Sequence, residues 1–289
     1  MKTDKAGIAI TMKRYPISVL MSLYISEKPD YAKECFDSLL SQTCLPDEWI
    51  IVEDGPLTDE MYSLLDEYQN EHPNLIKRIQ LKQNQGLGVA LREGILHCSN
   101  ELIARMDTDD IARSDRFEKQ LAVFKETPDI DVCGSQIDEF VGTVDNIVSR
   151  RNVPLHNEEI KKFQHFRTAF NHVTVMYKKS SVLKAGNYEH APSMEDALLW
   201  AKMFIAGAKG VNIDDALIYV RVGDNMYSRR TGLDYVRNYM KGRHQIYKVG
   251  YISYFEYIVS VIIRFIFALL PISLTRVVYQ KILRKEFSK

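Results

Sequence analysis

The 289-residue chain has no net charge, since thirty-eight Lys and Arg balance thirty-eight Asp and Glu. Nothing global therefore draws it to nucleic acid, and every charge argument has to be local. Paired cysteines are missing as well. Cys35, Cys44, Cys98 and Cys133 are scattered without C-x-x-C spacing, which argues against a zinc site or disulfide framework and fits a reducing compartment. There is no internal repeat or low-complexity tract, so solenoids and disordered linkers drop out. The N-terminal MKTDKAGIAITMKRYP carries charges on both sides of a short apolar stretch, lacks the h-region of a signal peptide, and reads as a flexible lead-in over residues 1–15. Long apolar runs are absent too. After Gly250 the chain turns apolar and aromatic, yet Glu256, Arg264 and Pro271 interrupt it, and no charge-free run reaches the roughly 18 residues of a spanning helix.

What is present is an alternation of short apolar runs and amphipathic stretches, the pattern of strands joined by helices around a mostly parallel sheet. ISVLMS at 17–22 predicts the first strand. Pro29 opens a helix with Ala32, Cys35, Phe36, Leu39 and Leu40 at helical spacing, stopped by a turn around Pro46. A strand at 48–54, a helix at 59–71, a strand at 76–81, a helix at 87–97 and a strand at 102–106 complete a nucleotide-binding-like half. A helix near 115–126 and a strand near 132–140 follow, then a less regular region with polar loops at 152–157 and 190–196, where acceptor specificity would reside. Ligands of open parallel sheets bind outside the carboxyl ends of the strands, so residues 22–26, 53–54 and 107–110 are expected to converge on one crevice.

RMDTDDIAR at 105–113 sets Asp107, Asp109 and Asp110 directly after an apolar strand. Carboxylates so close repel one another unless a cation or solvent relieves them, and a hard divalent ion, Mg2+ or Mn2+, accepts such oxygen ligands while a substrate diphosphate completes its shell. The alternative is a solvated acidic turn that caps the next helix. EDG at 53–55 repeats the arrangement after the second strand, with Gly55 permitting a tight turn and the carboxylates free to accept from a base N–H or a ribose hydroxyl; taken alone it is an ordinary acidic turn.

NQGLGVALREG at 84–94 fails the G-x-G-x-x-G template because Leu91 stands at the third glycine position, which disfavours a dinucleotide fold. Its small residues, Gly86 among them, would let the chain run close to a donor, with Arg92 either facing a diphosphate or serving as a surface arginine. SMEDALLWAKMF at 193–204 places Glu195 and Asp196 before an apolar helical run. Helix capping wants one such carboxylate, and the other can act as a general base toward an attacking hydroxyl. YVRVGDNMYSRRTG at 219–232 gathers Arg221, Ser228, Arg229 and Arg230, donors suited to a diphosphate or to a solvated loop. His172, alone beside an apolar run, reads as structural.

Taken in order, SLYIS, EDG, NQGLG, RMDTDD and MED resemble glycosyltransferase family 2, whose members share the GT-A fold; the resemblance spans residues 16–230. It implies that Ser22, Leu23 and Tyr24 line the nucleotide pocket with Glu53, Asn84, Gly86 and Arg92, that Asp54 contacts the uracil, and that Asp107 lies near ribose and metal. It further implies Asp109 as direct metal ligand, Asp196 as the base that activates the acceptor, Glu195 as its orienting neighbour, and Arg221 with Ser228 closing over the donor diphosphate. Glu53 and Pro56 depart from the two aspartates and the serine of many relatives, which touches the base contact and not the chemistry. The arginine of ARMDTDD is similar to that of bacterial enzymes building O-antigen, lipopolysaccharide or exopolysaccharide repeat units on undecaprenyl diphosphate. The expectation is an inverting, metal-dependent hexosyltransferase using UDP-galactose or UDP-glucose, with a β-1,3 bond to lipid-linked N-acetylglucosamine.

The expected architecture is an α/β GT-A catalytic domain over 16–231, with a mostly parallel central sheet flanked by helices, and a C-terminal helical, amphipathic membrane-associating extension over 232–289. Apolar bulk at 257–274 would dip into lipid while Arg276, Lys281, Arg284 and Lys285 meet anionic headgroups, placing the protein peripherally on the cytoplasmic face of the inner membrane. The alternative is a helix pair packed on the catalytic domain. Sugar nucleotidyltransferases share such a core but want a glycine-rich basic loop where this chain has SLYISEKPD. A non-catalytic nucleotide-sugar-binding protein would have little reason to keep both acidic groups.

Overall fold

Alternation along the first strand decides where the core forms: Ile17, Val19, Met21 and Leu23 point to one face, where Phe36, Leu39, Met61 and Leu65 meet them, and Leu20 points to the other, among Leu91 and Ile95. Each such side chain, removed wholly from water, contributes roughly 1.5–3 kcal/mol. The computed structural model describes residues 14–191, 193–223, 233–269 and 285–286.

The elements in chain order are β1 (Arg14–Leu23), α1 (Pro29–Leu40), β2 (Leu45–Glu53), α2 (Asp59–Glu71), β3 (Ile76–Gln80), α3 (Leu87–His97), β4 (Leu102–Arg105), β5 (Ile111–Ala112), α4 (Arg116–Glu126), β6 (Val132–Phe140) and β7 (Ile147–Arg151). Then follow α5 (Asn157–Gln164), a 3-10 turn (His172–Thr174), β8 (Met176–Lys178), α6 (Lys179–Lys184), α7 (Glu195–Ile205), β9 (Gly210–Arg221), α8 (Leu233–Lys248), α9 (Tyr254–Leu269) and β10 (Lys285–Glu286). Local chemistry explains several ends. Proline opens α1, whose buried Ala32, Cys35, Phe36 and Leu39 form one stripe. The Thr58 side chain accepts the Met61 N–H at 3.2 Å and starts α2.

The nucleotide-binding-like half is parallel, in the order β3-β2-β1-β4. Beyond β4 the sheet is mixed rather than mostly parallel: β8 runs antiparallel to β4 and to β6, β7 antiparallel to β6, and β9 parallel to β6 but antiparallel to β5. All residues of β6 are buried, as befits a strand bordered by three others. Two boundaries also differ from expectation. β1 begins at Arg14, which pairs with Leu45, so the lead-in does not reach residue 15; and Pro46 lies in β2 opposite Tyr15 rather than in a turn, tolerated at the start of the strand.

The C-terminal helices α8 and α9 form a hairpin docked on α7. Ile246 and Ile252 join Ala191, Met194, Ala197, Leu198 and Ala201 in a separate cluster, and the buried Arg243 donates to the His165 carbonyl at 2.5 Å and to Ser260 Oγ at 3.1 Å. The hairpin thus packs on the α/β domain while α9 leaves Phe255, Ile262, Ile263 and Ile266 exposed. Among the described residues no helix is long and apolar enough to cross a membrane. The backbone of Lys285, a residue expected at headgroups, lies in β10 opposite Arg150 of β7 in the strand register; Arg276, Lys281 and Arg284 lie outside the described residues.

Candidate active site

Parallel pairing brings the ends of β1, β2 and β4 to one edge of the sheet, and three loops meet there. At the end of β1, Ser22 is half-buried and Tyr24 exposed, whereas Leu23 is fully buried in the core. Contrary to the expectation that Leu23 lines the nucleotide pocket, its side chain is turned into the core, and its carbonyl accepts the Asp54 N–H at 2.7 Å. The period of two sends Leu23 inward beside Met21 and leaves its neighbours at the rim.

At the end of β2, Glu53 and Asp54 are both buried. Glu53 Oε1 accepts from Arg78 Nε at 2.5 Å, and Arg78 reaches on to Asp66 at 2.5 Å. Asp54 accepts the backbone N–H groups of Gln85 at 2.7 Å and Gly86 at 2.9 Å, one on each oxygen. That fastens NQGLG to the EDG turn. Gly55 has φ +87°, and a Cβ there would come within 2.7 Å of Asn84 N, so only glycine lets the two loops touch. Asn84 itself is exposed. Each Asp54 oxygen retains a second lone pair for a ligand.

The next glycine of NQGLG has a second function. Gly88, in the first turn of α3, sits where a Cβ would come 2.8 Å from the Glu189 carbonyl and 3.0 Å from Glu195 Cβ. It lets α3 abut α7. Arg92, one turn further on, is exposed and 3.7 Å from Glu93.

After β4 the chain turns sharply through Asp107 to Asp110. The carboxylates of Asp107, Asp109 and Asp110 offer oxygens all within 4.8 Å of one another. Burial, then the Asp107 charge, pushes Asp109 up to about 6. Burial, then the charges of Asp109 and Asp107, raises Asp110 well above the usual carboxylate range. Such mutually repelling, oxygen-only donors are what a hard divalent ion neutralises, so the residues fit one. Asp110 is fixed by the Arg221 N–H at 2.8 Å. The buried Arg105 grips both Asp107 oxygens with both terminal nitrogens.

Arg221, at the end of β9, lies over Tyr31 with 4.0 Å from guanidinium carbon to ring centroid, donates to the Asp109 carbonyl at 3.1 Å and the Gly142 carbonyl at 3.0 Å, and pairs with Glu34. Its guanidinium bolts the acidic loop to α1. Ser228, Arg229 and Arg230 lie outside the described residues.

Glu195 and Asp196 are the first two residues of α7, one place inside the expected cap: Met194 is the N-cap and makes no side-chain cap bond. Both carboxylates are raised. Burial followed by the Asp196 charge lifts Glu195 to about 7, while burial raises Asp196 against the α7 backbone N–H groups, Arg151 and Arg105, which hold it down. Ser193, just before them, has φ +63°, an uncommon conformation for a side-chain-bearing residue, and such strain is often stored beside a site.

Arg105 is the residue that sequence reasoning passed over. Its charge favours the ionised forms of both Glu195 and Asp196 while its fork holds Asp107, so one buried guanidinium serves both acidic groups. The signal was available in ARMDTDD, since a basic residue inside a buried strand demands a partner. Tyr188 was missed as well; its hydroxyl meets His172 Nε2 at 2.7 Å. Burial and the Arg105 charge depress His172 well below its ordinary value, so this histidine is neutral and structural, as expected of it.

A mixed sheet with a DxD-type acidic loop at its strand ends defines the GT-A class of nucleotide-sugar-dependent transferases. Residues 18–190 match the Glycosyl transferase family 2 model, and the chain belongs to that family. It is 43% identical over 268 residues, 93% of this chain and 99% of the relative, to an uncharacterized glycosyltransferase of Haemophilus influenzae. It is 35% identical to the UDP-Gal:alpha-D-GlcNAc-diphosphoundecaprenol beta-1,3-galactosyltransferase of Escherichia coli, over 93% of this chain and 96% of that one. The amylovoran biosynthesis glycosyltransferase AmsE of Erwinia amylovora is also 35% identical, over 91% and 98%. Among solved structures the fold is similar to Staphylococcus aureus TarS 1-349 in complex with UDP-GlcNAc, with TM-score 0.60, 19% identity, and 80% of this chain against 66% of that one. It is likewise similar to the Pyrobaculum calidifontis mannosyltransferase PcManGT in complex with GDP-Man and Mn2+, with TM-score 0.61, 13% identity, and 82% against 65%.

Proposed function

We propose that the protein transfers a hexose, galactose or glucose, from its UDP donor with inversion onto a lipid-linked acceptor such as N-acetylglucosamine-diphosphoundecaprenol. The bond formed is β-1,3, in assembly of an O-antigen or exopolysaccharide repeat unit. The observation that carries the proposal is the pairing of two acidic groups through Arg105, one suited to the donor diphosphate and the other to an acceptor hydroxyl. The 35% identity to the Escherichia coli galactosyltransferase over nearly the whole of both chains supports the choice of donor and acceptor.

In this scheme Ser22, Tyr24 and Asp54 hold the uridine, and Asp107 and Asp109 hold a divalent cation, Mn2+ or Mg2+, which supplies electrostatic stabilisation of the departing diphosphate. Asp196 accepts the proton of the acceptor hydroxyl as its oxygen bonds to the anomeric carbon and the bond from that carbon to UDP breaks; a carboxylate raised by burial suits the task. Glu195 orients the acceptor. Arg221 keeps Asp109 and Asp110 in place, and Ser228 closes over the diphosphate. The exposed apolar face of α9 supports peripheral attachment to the cytoplasmic membrane face, beside a lipid-linked acceptor.

The test is transfer from UDP-galactose, UDP-glucose and their acetamido counterparts to a synthetic N-acetylglucosamine diphosphate lipid, with Mn2+, Mg2+ or chelator, for the wild type and Asp196→Asn. Metal-dependent product from the wild type alone is expected. Binding of UDP with metal but no transfer from any donor would sink the acceptor assignment.

A further inference from the structure

Two buried amides join the end of β7 to the start of α7. Arg151, the last residue of β7, donates through one terminal nitrogen to Asn171 Oδ1 at 2.7 Å and through the other to the Thr168 carbonyl at 2.9 Å. Asn171 carries the connection to β6 by donating to the Ser135 carbonyl at 2.8 Å. From the same segment the Ala169 N–H donates to Gln164 Oε1 at 2.8 Å, and Gln164 Nε2 donates to the Ala197 carbonyl at 3.0 Å. Ala197 directly follows Asp196. Asn171 and Gln164 are each 1% exposed, and each uses both its oxygen and its nitrogen in these bonds. A buried amide left unmatched is costly, so the network admits little slack.

Packing acts on the same segment. Phe170, between the two residues that Arg151 grips, sets its ring edge-on to Trp200 with centroids 5.3 Å apart. Trp200 stands four residues after Asp196 and so lies one turn along on the same face of α7. The segment 168–171 therefore meets α7 through Gln164 and through the Trp200 ring, and Arg151 fastens it to the sheet. Charge points the same way. Burial raises Asp196, and against it stand the Ala197 N–H, then the charge of Arg151, then that of Arg105. Arg105 comes from β4 and is engaged by Asp107, whereas Arg151 comes from β7, beyond β8 and β6 in the sheet. Among the described residues the other titratable groups around Asp196 are Glu195 beside it and the Tyr188 hydroxyl and His172 ring, both kept neutral by burial. The helices α5, α8 and α3 meet the start of α7 through the uncharged Gln164, Gly242 and Gly88.

We infer that Arg151 is a positioning residue for the proposed base: its fork fixes the segment 168–171 against the start of α7, and with it the place from which the Asp196 carboxylate meets the acceptor hydroxyl. The inference rests on the proposed role of Asp196 and deepens it. The task suits arginine in particular. Two bonds diverging from one rigid plane hold a side-chain oxygen and a backbone carbonyl at once, whereas a lysine ammonium keeps the charge on a flexible stem and loses that geometry.

The experiment compares the wild type with Arg151→Gln, Arg151→Lys and Asp196→Asn, and with each Arg151 change combined with Asp196→Asn. Each full chain is assayed as a function of pH for transfer to N-acetylglucosaminyl diphosphate lipid and for hydrolysis of the UDP-sugar, in which water takes the acceptor's place. Metal-dependent UDP binding reports an intact fold. Arg151→Gln is expected to lower kcat about tenfold or more at unchanged acceptor KM, and to move the acid limb of kcat to higher pH, since Asp196 loses a cation that favours its charged form. Arg151→Lys should leave the acid limb in place and recover part of kcat. In the Asp196→Asn background the loss of Arg151 should cost little more, because the group it acts through is already gone. Effects that multiply in the double variant, or a lower kcat with an unmoved acid limb in Arg151→Gln, would confine the arginine to the fold and overturn the inference. A raised acceptor KM at unchanged kcat would overturn it too, by making Arg151 an acceptor ligand. If Arg151→Gln loses UDP binding, Arg151→Lys decides: a lower kcat that vanishes in the Asp196→Asn background supports the inference, and a wild-type kcat defeats it. Hydrolysis that depends on Arg151 and Asp196 in this way, with no transfer to any lipid, would sink the proposed acceptor and leave the inference standing. An Asp196→Asn protein as active as the wild type would remove the base, and both readings with it.

Discussion

Arg105 and Asp107, two residues apart and on either side of the end of β4, form a two-pronged ion pair in which the arginine is buried and the aspartate half-exposed. A buried guanidinium without its carboxylate would be costly, so the pair fixes the entry to the acidic loop. Because the same charge favours ionisation of Glu195 and Asp196, its removal acts on both groups. Arg105→Lys keeps the charge but loses the fork, and kcat should fall about tenfold or more. Arg105→Gln should in addition move the acid limb of the kcat profile to higher pH, since the neighbouring carboxylates lose a cation that lowers them. A lower kcat with an unmoved acid limb in Arg105→Gln would confine the arginine to holding the loop.

The α7 carboxylates give a pH dependence with a definite sign. Glu195 titrates at about 7 in the fold, above the ordinary value of 4.5, and Asp196 is raised as well, so they titrate as a coupled pair. Between the unfolded and folded values the native state binds more protons than the unfolded one, and stability falls as pH rises through that window. Glu195→Gln should therefore raise Tm relative to wild type at pH 8 and have little effect at pH 4.5. Activity runs the opposite way and rises with pH as the base ionises. Asp196→Asn should reduce kcat about a thousandfold or more with UDP affinity retained.

Much of this was legible in the chain because two periods are hard to counterfeit. The strands at 17–22 and 48–54 and the helices at 59–71 and 87–97 fell where β1, β2, α2 and α3 are found, and the acidic clusters fell at strand ends, as expected. What escaped was information carried by space. Arg14 and Tyr15 look like a polar approach to Pro16, yet the Leu45–Pro46 segment gives them a partner. β8 is three residues long, too short to show a period, and it reverses the sheet's direction. Leu23 was placed in a pocket by motif alignment, although the period of β1 already sends it inward. Arg105 looked like a family mark because sequence does not show that its side chain turns back to Asp107.

The acidic loop should respond to metal in proportion to its ionisation. Asp109 sits at about 6 because burial and Asp107 oppose its charge, and a divalent ion must displace any proton it carries. Mn2+ affinity, measured with UDP by calorimetry, should be flat above pH 7 and fall about tenfold per unit below pH 6, for one displaced proton. Asp109→Asn should abolish the metal-induced rise in Tm and leave a more stable metal-free protein, since a repelling charge has gone. Unchanged Mn2+ stabilisation in Asp109→Asn would move the binding site elsewhere.

Gly88 offers a test of the geometry that leaves every charged group in place. Its backbone is helical, so alanine is welcome locally and gains about 1 kcal/mol of helix propensity. The added methyl, however, would stand 2.8 Å from the Glu189 carbonyl and 3.0 Å from Glu195 Cβ, and the first of these is backbone that cannot rotate away. Overpacking of this kind costs roughly 1–3 kcal/mol, so the contact outweighs the propensity. The strain is relieved by moving α3 away from the start of α7. Since Asp54 binds the residues that lead into α3, the donor loop moves with it. Gly88→Ala should therefore lower Tm and reduce kcat about tenfold or more, because displacement of the acceptor-side carboxylates misaligns the attack. A Gly88→Ala protein with wild-type kcat and a raised Tm would mean that α3 and α7 approach less closely in solution, and that the glycine is there for some reason other than the site.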